Sequence, residues 1–218
     1  APIVTGFNGR VVKNLGDSFM VLFESATDAL RAALKIQDMV REKGDISIRL
    51  AMTTGDVEEI PVATTAINTA PEARAANPTG KIPALILDDG GAIYDSRVIT
   101  RYLDDRAGAG LYPQDGIWRM LTLEATADGL LEAAVLMVYE ARLRPEAQQS
   151  PDWVEAQWGK VCGALDALNS DWIDDLNGPL CIGQIAVGCA PGYLDFRHDA
   201  RGWRDGRDAL AVWYSGFA

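Results

Sequence analysis

Histidine and cysteine are scarce in this chain, and basic side chains are outnumbered. There is one histidine, His198, among 218 residues. That excludes a multi-histidine metal centre and leaves a histidine-based catalytic triad a single candidate. Arg197 and Asp199 flank it, so it reads as a solvated surface residue. Cys162, Cys181 and Cys189 are an odd number without CxxC spacing. Neither a disulfide framework nor a structural zinc site is expected, and the thiols are expected to be reduced and buried. No apolar run reaches the roughly 18 residues of a membrane span, and no basic start leads into an apolar stretch, so no signal peptide is read either. Lysine and arginine total 20 against 31 aspartates and glutamates, a net charge of −11. That is the wrong sign for binding phosphate backbones or anionic lipid, so neither nucleic acid nor a membrane is an expected partner. A cytoplasmic protein is expected, long enough for one large domain or two small ones. The start at Ala1 without methionine, and the end at Phe217-Ala218 without a polar tail, read as a fragment or an engineered piece.

The first sixty residues carry strand and helix signals. Val11-Val12 and Phe19 to Phe23 are apolar runs separated by Asn14-Leu15-Gly16-Asp17, a hairpin pattern. Ser25 and Thr27 can cap a helix in which Ala29, Ala33, Ile36 and Val40 share a face, closed by Gly44. Ile46, Ile48, Leu50 and Met52 then alternate with Ser47, Arg49, Ala51 and Thr53, as in a half-buried strand. Beyond them, Pro61, Pro71, Pro78 and Pro83 forbid a long helix, leaving room for a short one over Pro71 to Ala76. Ala84 to Leu87, the turn Asp88-Asp89-Gly90-Gly91, and Ala92 to Tyr94 predict a second hairpin. Asp95 and Ser96 are cap-type residues ahead of the stripe Val98, Ile99, Tyr102, Leu103.

Glycines and a proline between Gly108 and Gly116 mark a domain boundary. Everything beyond reads as helical. A first long helix holds Met120, Leu130, Leu131, Ala134, Val135 and Val138; a second carries Val154, Trp158, Val161, Leu165, Leu168, Trp172 and Leu176, the stripe of a bundle core.

Asn77-Pro78-Thr79-Gly80-Lys81-Ile82-Pro83-Ala84-Leu85, followed by Tyr94-Asp95-Ser96-Arg97, resembles the glutathione transferase family. Gly183 to Arg197 and Trp213-Tyr214 look like that family's last core helices, so the likeness spans about residues 58 to 218. The resemblance implies a thioredoxin-like α/β domain over 1–106, an all-helical bundle domain over 112–218, and a homodimer. It implies glutathione as substrate, a small-molecule thiol conjugated to a hydrophobic electrophile, with no metal. Ile82 ahead of a cis-Pro83 would offer main-chain groups to a peptide-like ligand. Asp95 and Ser96 would hold the γ-glutamyl end at a helix N-terminus, and Lys81 the glycyl carboxylate. The same residues also suit a plain helix cap and an ordinary surface lysine. The thiol-activating residue belongs at the first strand-to-helix turn, where Ser25 stands without the family's flanking motif and equally suits a cap. Cys181 and Gln184 replace the family's Ser/Thr-x-x-Asp capping box, and Pro191 falls inside the last core helix.

A second resemblance lies at the front. Gly9 to Asp17, through the helix to Arg49-Leu50-Ala51-Met52-Thr53-Thr54-Gly55-Asp56-Val57, is similar to class III nucleotide cyclases over about residues 5–59. It implies metal binding at Asp17 and adenine recognition by Lys13. The second carboxylate of a two-metal centre would precede Ala1. Taken together, 1–59 reads as a cyclase-like ββαβ segment joined to a glutathione-site half over 60–106. The hybrid domain would be a natural or engineered fusion or an assembly artefact, with a catalytically inactive scaffold or a cyclase remnant as alternatives to an active transferase.

Overall fold

A computed structural model describes residues 10–15 and 18–22, as main chain, and residues 60–217. Ser25, Asp17, the helix expected after Thr27 and the strand expected over Ile46 to Thr53 lie outside the described residues. By packing, residues 60–164 and 178–187 form one unit, and the described residues of 10–22 with 165–177 and 188–217 form another.

The 60–164 unit starts with an irregular stretch that leads into helix α1, Pro71–Ala76. Pro71 sits in its first turn, where a missing N–H costs nothing. The expected hairpin follows, with strands β1, Ala84–Ile86, and β2, Ala92–Tyr94, paired antiparallel as Ala84↔Tyr94, Leu85↔Ile93 and Ile86↔Ala92. Its turn is closed by Leu87 N–H donating to the Gly91 carbonyl (2.8 Å) and Gly91 N–H donating to Asp89 Oδ1 (2.8 Å), with Gly90 at φ 83°. Positive φ is the conformation glycine tolerates without a Cβ clash. Helix α2, Ser96–Ala107, ends on Gly108 in the left-handed region. Both α1 and α2 pack against the hairpin.

The glycine-bearing loop over 108–116 leads into α3, Ile117–Leu143. Its buried face is Met120, Leu123, Glu124, Ala127, Leu130, Ala133, Ala134, Met137 and Glu140. Leu131, Val135 and Val138, apolar residues of the expected helix, are only half-buried, and the buried face instead includes two carboxylates. Tyr112, Met120 and Ile182 form a small core with Leu111, Ile117, Leu121, Cys181 and Ile185, tied by Ile182 N–H donating to the Leu111 carbonyl (3.0 Å).

Helix α4, Pro151–Ser170, and the single turn α5, Ile173–Leu176, replace the one long stripe read from the sequence. The chain turns at Asp171-Trp172. Helix α6, Ile182–His198, runs through Pro191, and α7, Asp208–Phe217, completes the chain. Half of a capping box survives at the start of α6: Gln184 Oε1 accepts from Cys181 N–H (3.1 Å), and its Nε2 donates to the Gly178 carbonyl (3.0 Å). The thiols are not buried as expected; Cys162 and Cys181 are half-buried and Cys189 is exposed.

Near the front, the expected first hairpin is present as β3, Arg10–Leu15, antiparallel to β4, Ser18–Leu22, with an irregularity between Val11 and Lys13. The strand expected over Phe19 to Phe23 was to open a β-α-β of the kind a thioredoxin-like domain uses first; its described part is residues 19–22. Among the described residues they pair with β3 alone, and each hairpin is its own two-stranded sheet. No helix among the described residues is long and apolar enough to cross a membrane.

The 165–217 portion is held by a buried carboxylate. Asp195, 3% exposed, accepts from Trp203 Nε1 (2.7 Å) and from both terminal nitrogens of Arg204. Asp195→Ala strands the indole N–H in a dry core, whereas Arg204 is partly exposed and rehydrates. The expected loss is about 2–3 kcal/mol, read as a lower urea midpoint at unchanged m-value.

Candidate functional site

The hairpin register assembles the site. Ala84↔Tyr94 is the last pair at the open end of the ladder; Pro83 precedes one partner and Asp95 follows the other. Pro83 and Asp95, twelve positions apart in sequence, therefore flank the same end of the ladder. The Ile82-Pro83 peptide bond is cis, as the resemblance implied.

Asp95 is the N-cap of α2, and its backbone is unusual: φ 72°, ψ 126°. Such a conformation costs a non-glycine residue about 1–3 kcal/mol and persists only where its surroundings hold it. Here Oδ1 accepts from Arg97 N–H (3.1 Å), and the Asp95 carbonyl accepts from Val98 N–H (3.1 Å) and Ile99 N–H (3.0 Å). Arg97 Nε also donates to Oδ1 (3.2 Å). That side-chain bond is the main reason the Asp95 carboxyl is held below the usual carboxylate range. These bonds show Asp95 in the cap role. Ser96 begins the helix and is exposed; among the described residues nothing bonds its hydroxyl. Ile82 is half-buried, and among the described residues its main chain makes no hydrogen bond. Lys81 is exposed in the loop ahead of β1.

Four supporting residues carry no signal in the motif itself. Arg97 Nε lies 3.6 Å from Asp128 Oδ2 on α3, and that oxygen is buried with no hydrogen bond to a described residue. Burial pushes the Asp128 carboxyl up despite the arginine. One turn earlier on α3, Glu124, 4% exposed, accepts from Tyr112 Oη (3.0 Å), which shares a hydrogen with Thr100 Oγ1 of α2 (2.8 Å). Desolvation raises both Tyr112 and Glu124. Glu124 and Asp128 stand one turn apart on α3, and that i,i+4 spacing of carboxylates is the sequence clue to a polar strip facing α2. Among the described residues no group of His, Cys, Asp and Glu is arranged to hold a metal ion.

A carboxyl whose pKa is raised on folding binds more protons in the folded chain than in the unfolded one. Stability is then lost as pH climbs from the unfolded value through the folded one. Glu124→Gln keeps the acceptor for Tyr112 and removes the titration. Its stability relative to the parent chain is expected to rise as pH climbs above the ordinary glutamate value of about 4.3, measured by urea unfolding at each pH; a flat difference would contradict a raised Glu124.

Comparison with known proteins addresses the family. Residues 48–106 match the family described as "Glutathione S-transferase, N-terminal domain". The match begins at 48 rather than near 58 and takes in the end of the stretch read as cyclase-like. An Escherichia coli K12 protein described as "Uncharacterized GST-like protein YibF" is 36% identical over 132 residues, covering 58% of this chain. The chain spans 65% of that relative's length. Among solved structures, a glutathione transferase family member from Pseudomonas fluorescens Pf-5 with bound glutathione is 42% identical, with a TM-score of 0.69 over 71% of this chain and 77% of the other. A glutathione S-transferase from Methylobacillus flagellatus KT, also with glutathione bound, is 33% identical, with a TM-score of 0.64 over 87% and 90%. None of these likenesses supports the cyclase reading of 5–59. A thioredoxin-like half ending in α2, a helical remainder and the matches to transferases lead to one conclusion: the chain belongs to the glutathione transferase family.

Proposed function

We propose that the protein binds glutathione at the open end of the β1–β2 hairpin and conjugates its thiol to hydrophobic electrophiles. The observation that carries this reading is the register that pairs Ala84 with Tyr94 and so brings Pro83 and Asp95 to the same end of the hairpin; the two similar structures holding glutathione support it. Glutathione is a tripeptide with two carboxylates, an ammonium and a thiol. Its γ-glutamyl carboxylate meets the first turn of α2, where the helix N-terminus and the Ser96 hydroxyl supply donors. Its ammonium faces Asp95, which remains ionised. Its cysteinyl main chain pairs with that of Ile82 beside Pro83, and Lys81 attracts the glycyl carboxylate.

In the reaction, the thiolate sulfur forms a bond to the electrophilic carbon and a leaving group such as chloride departs with the bonding pair. Ser25 is the residue assigned to stabilise the thiolate. The reading also takes the chain as a cytoplasmic homodimer, with a thioredoxin-like domain over 1–106 and a helical one over 112–218.

Ser96→Ala is expected to weaken glutathione binding by about 1–3 kcal/mol, measured by calorimetry; unchanged affinity removes Ser96 from the site. If the parent chain shows no binding heat at millimolar glutathione, the proposal fails. Binding without turnover of a chlorodinitrobenzene-type electrophile selects the inactive scaffold, and any cyclic nucleotide formed from ATP and manganese would revive the cyclase reading with Asp17.

A further inference from the structure

We propose that Asn77 is a positioning residue for this site, aiming the Ile82 N–H at the ligand; the inference rests on the glutathione reading above. Asn77 is 2% exposed, the most buried polar residue among those described. Both ends of its amide are bonded inside one loop. Nδ2 donates to the Lys81 carbonyl (2.8 Å), while Oδ1 accepts from Thr79 N–H (3.0 Å) and Thr79 Oγ1 (2.8 Å). Its main chain is equally committed: Asn77 N–H donates to the Ala73 carbonyl of α1 (2.9 Å), and its carbonyl accepts from Gly80 N–H (2.7 Å).

Gly80 closes the turn at φ 69°, and a Cβ there would come 2.6 Å from Thr69 Cγ2, so the turn has no room to relax around a larger residue. The end of α1, the turn and the Lys81 carbonyl are therefore one bonded piece.

The consequence follows from peptide planarity. The Lys81 carbonyl and the Ile82 N–H belong to the same rigid plane. A bond that holds the carbonyl at one edge sets the direction of the N–H at the other, and among the described residues nothing bonds that N–H directly. Asn77 touches no ligand in this scheme. It decides where the donor points, through a single carbonyl.

Asn77→Asp is nearly isosteric and tests this donor alone. One carboxylate oxygen still accepts from Thr79; the other, when ionised, confronts the Lys81 carbonyl with a second acceptor, and the peptide plane turns away. When protonated, its O–H donates to that carbonyl as the amide does. Burial beside a carbonyl raises the carboxyl's pKa, so the switch falls within reach of mild acid. Glutathione affinity would be measured by calorimetry for the parent and the variant between about pH 5 and pH 7, with near-ultraviolet circular dichroism confirming the fold. The ratio of the two at each pH cancels titration of the ligand.

The expected ratio is about tenfold weaker binding at pH 7, roughly 1.4 kcal/mol, recovering to within about threefold near pH 5. Equal affinities at both pH values overturn the proposal, as does a loss that does not change with pH, because only the ionised carboxylate turns the Lys81 carbonyl away; near-ultraviolet circular dichroism unchanged between the two pH values separates this from proton-linked loosening of the fold. If the parent itself does not bind, the glutathione reading falls first and this inference with it. Should Asn77→Asp fail to fold, Thr79→Val removes one of the two bonds that orient the amide; about threefold weaker binding is expected, and an unchanged affinity overturns the role.

Discussion

Three antiparallel pairs between Ala84–Ile86 and Ala92–Tyr94 are the interaction on which the site depends. A register slip of one residue would invert every side chain of a strand and separate Pro83 from Asp95. The register is specified on one side by the tight turn at Gly90-Gly91 and on the other by the helices packed on the hairpin. Leu85 and Ile93 form its half-buried pair, while Ile86 and Ala92 stay exposed, so the pleat itself distinguishes the two faces.

Around that hairpin, polar groups are arranged in two layers. Asp95 accepts the first backbone donors of α2 and shares Arg97, which in turn approaches Asp128 on α3. Thr100, Tyr112 and Glu124 make a second link between the same two helices one turn further along. Buried carboxylates cost desolvation and return little net stability. Their value here is geometric: each link fixes the first turns of α2 against a long, rigid helix, and so fixes where its N-terminal donors point. Asp95 in a disfavoured backbone conformation is consistent with such over-determination.

Much of this was legible from local pattern. The turn residues Asp89-Gly90-Gly91 announce the hairpin, Pro71 the short helix, and Asp95-Ser96 the start of α2, because turn and cap chemistry is decided within a few residues. The face of α3 was less legible: Leu131, Val135 and Val138 are as apolar as Leu123 and Met137, and which set turns inward is decided by partners remote in sequence. The break between α4 and α5 was hidden for a related reason, since the stripe from Val154 to Leu176 keeps its period through Trp172 while the chain turns beneath it. Exposure of Cys189 shows the same limit, because a small apolar-looking side chain packs only if the fold presents a neighbour.

By itself the sequence singled out Lys81, Ile82, Asp95 and Ser96 as the candidates for the site, since they are chemical types in a recognisable order. Only the tertiary structure decided that a buried amide at Asn77 reaches the Lys81 carbonyl, that Arg97 lies between two carboxylates, and that Glu124 is dry. Those facts depend on distances between elements brought together by packing, and hydrogen bonds reward such distances only after the chain has folded.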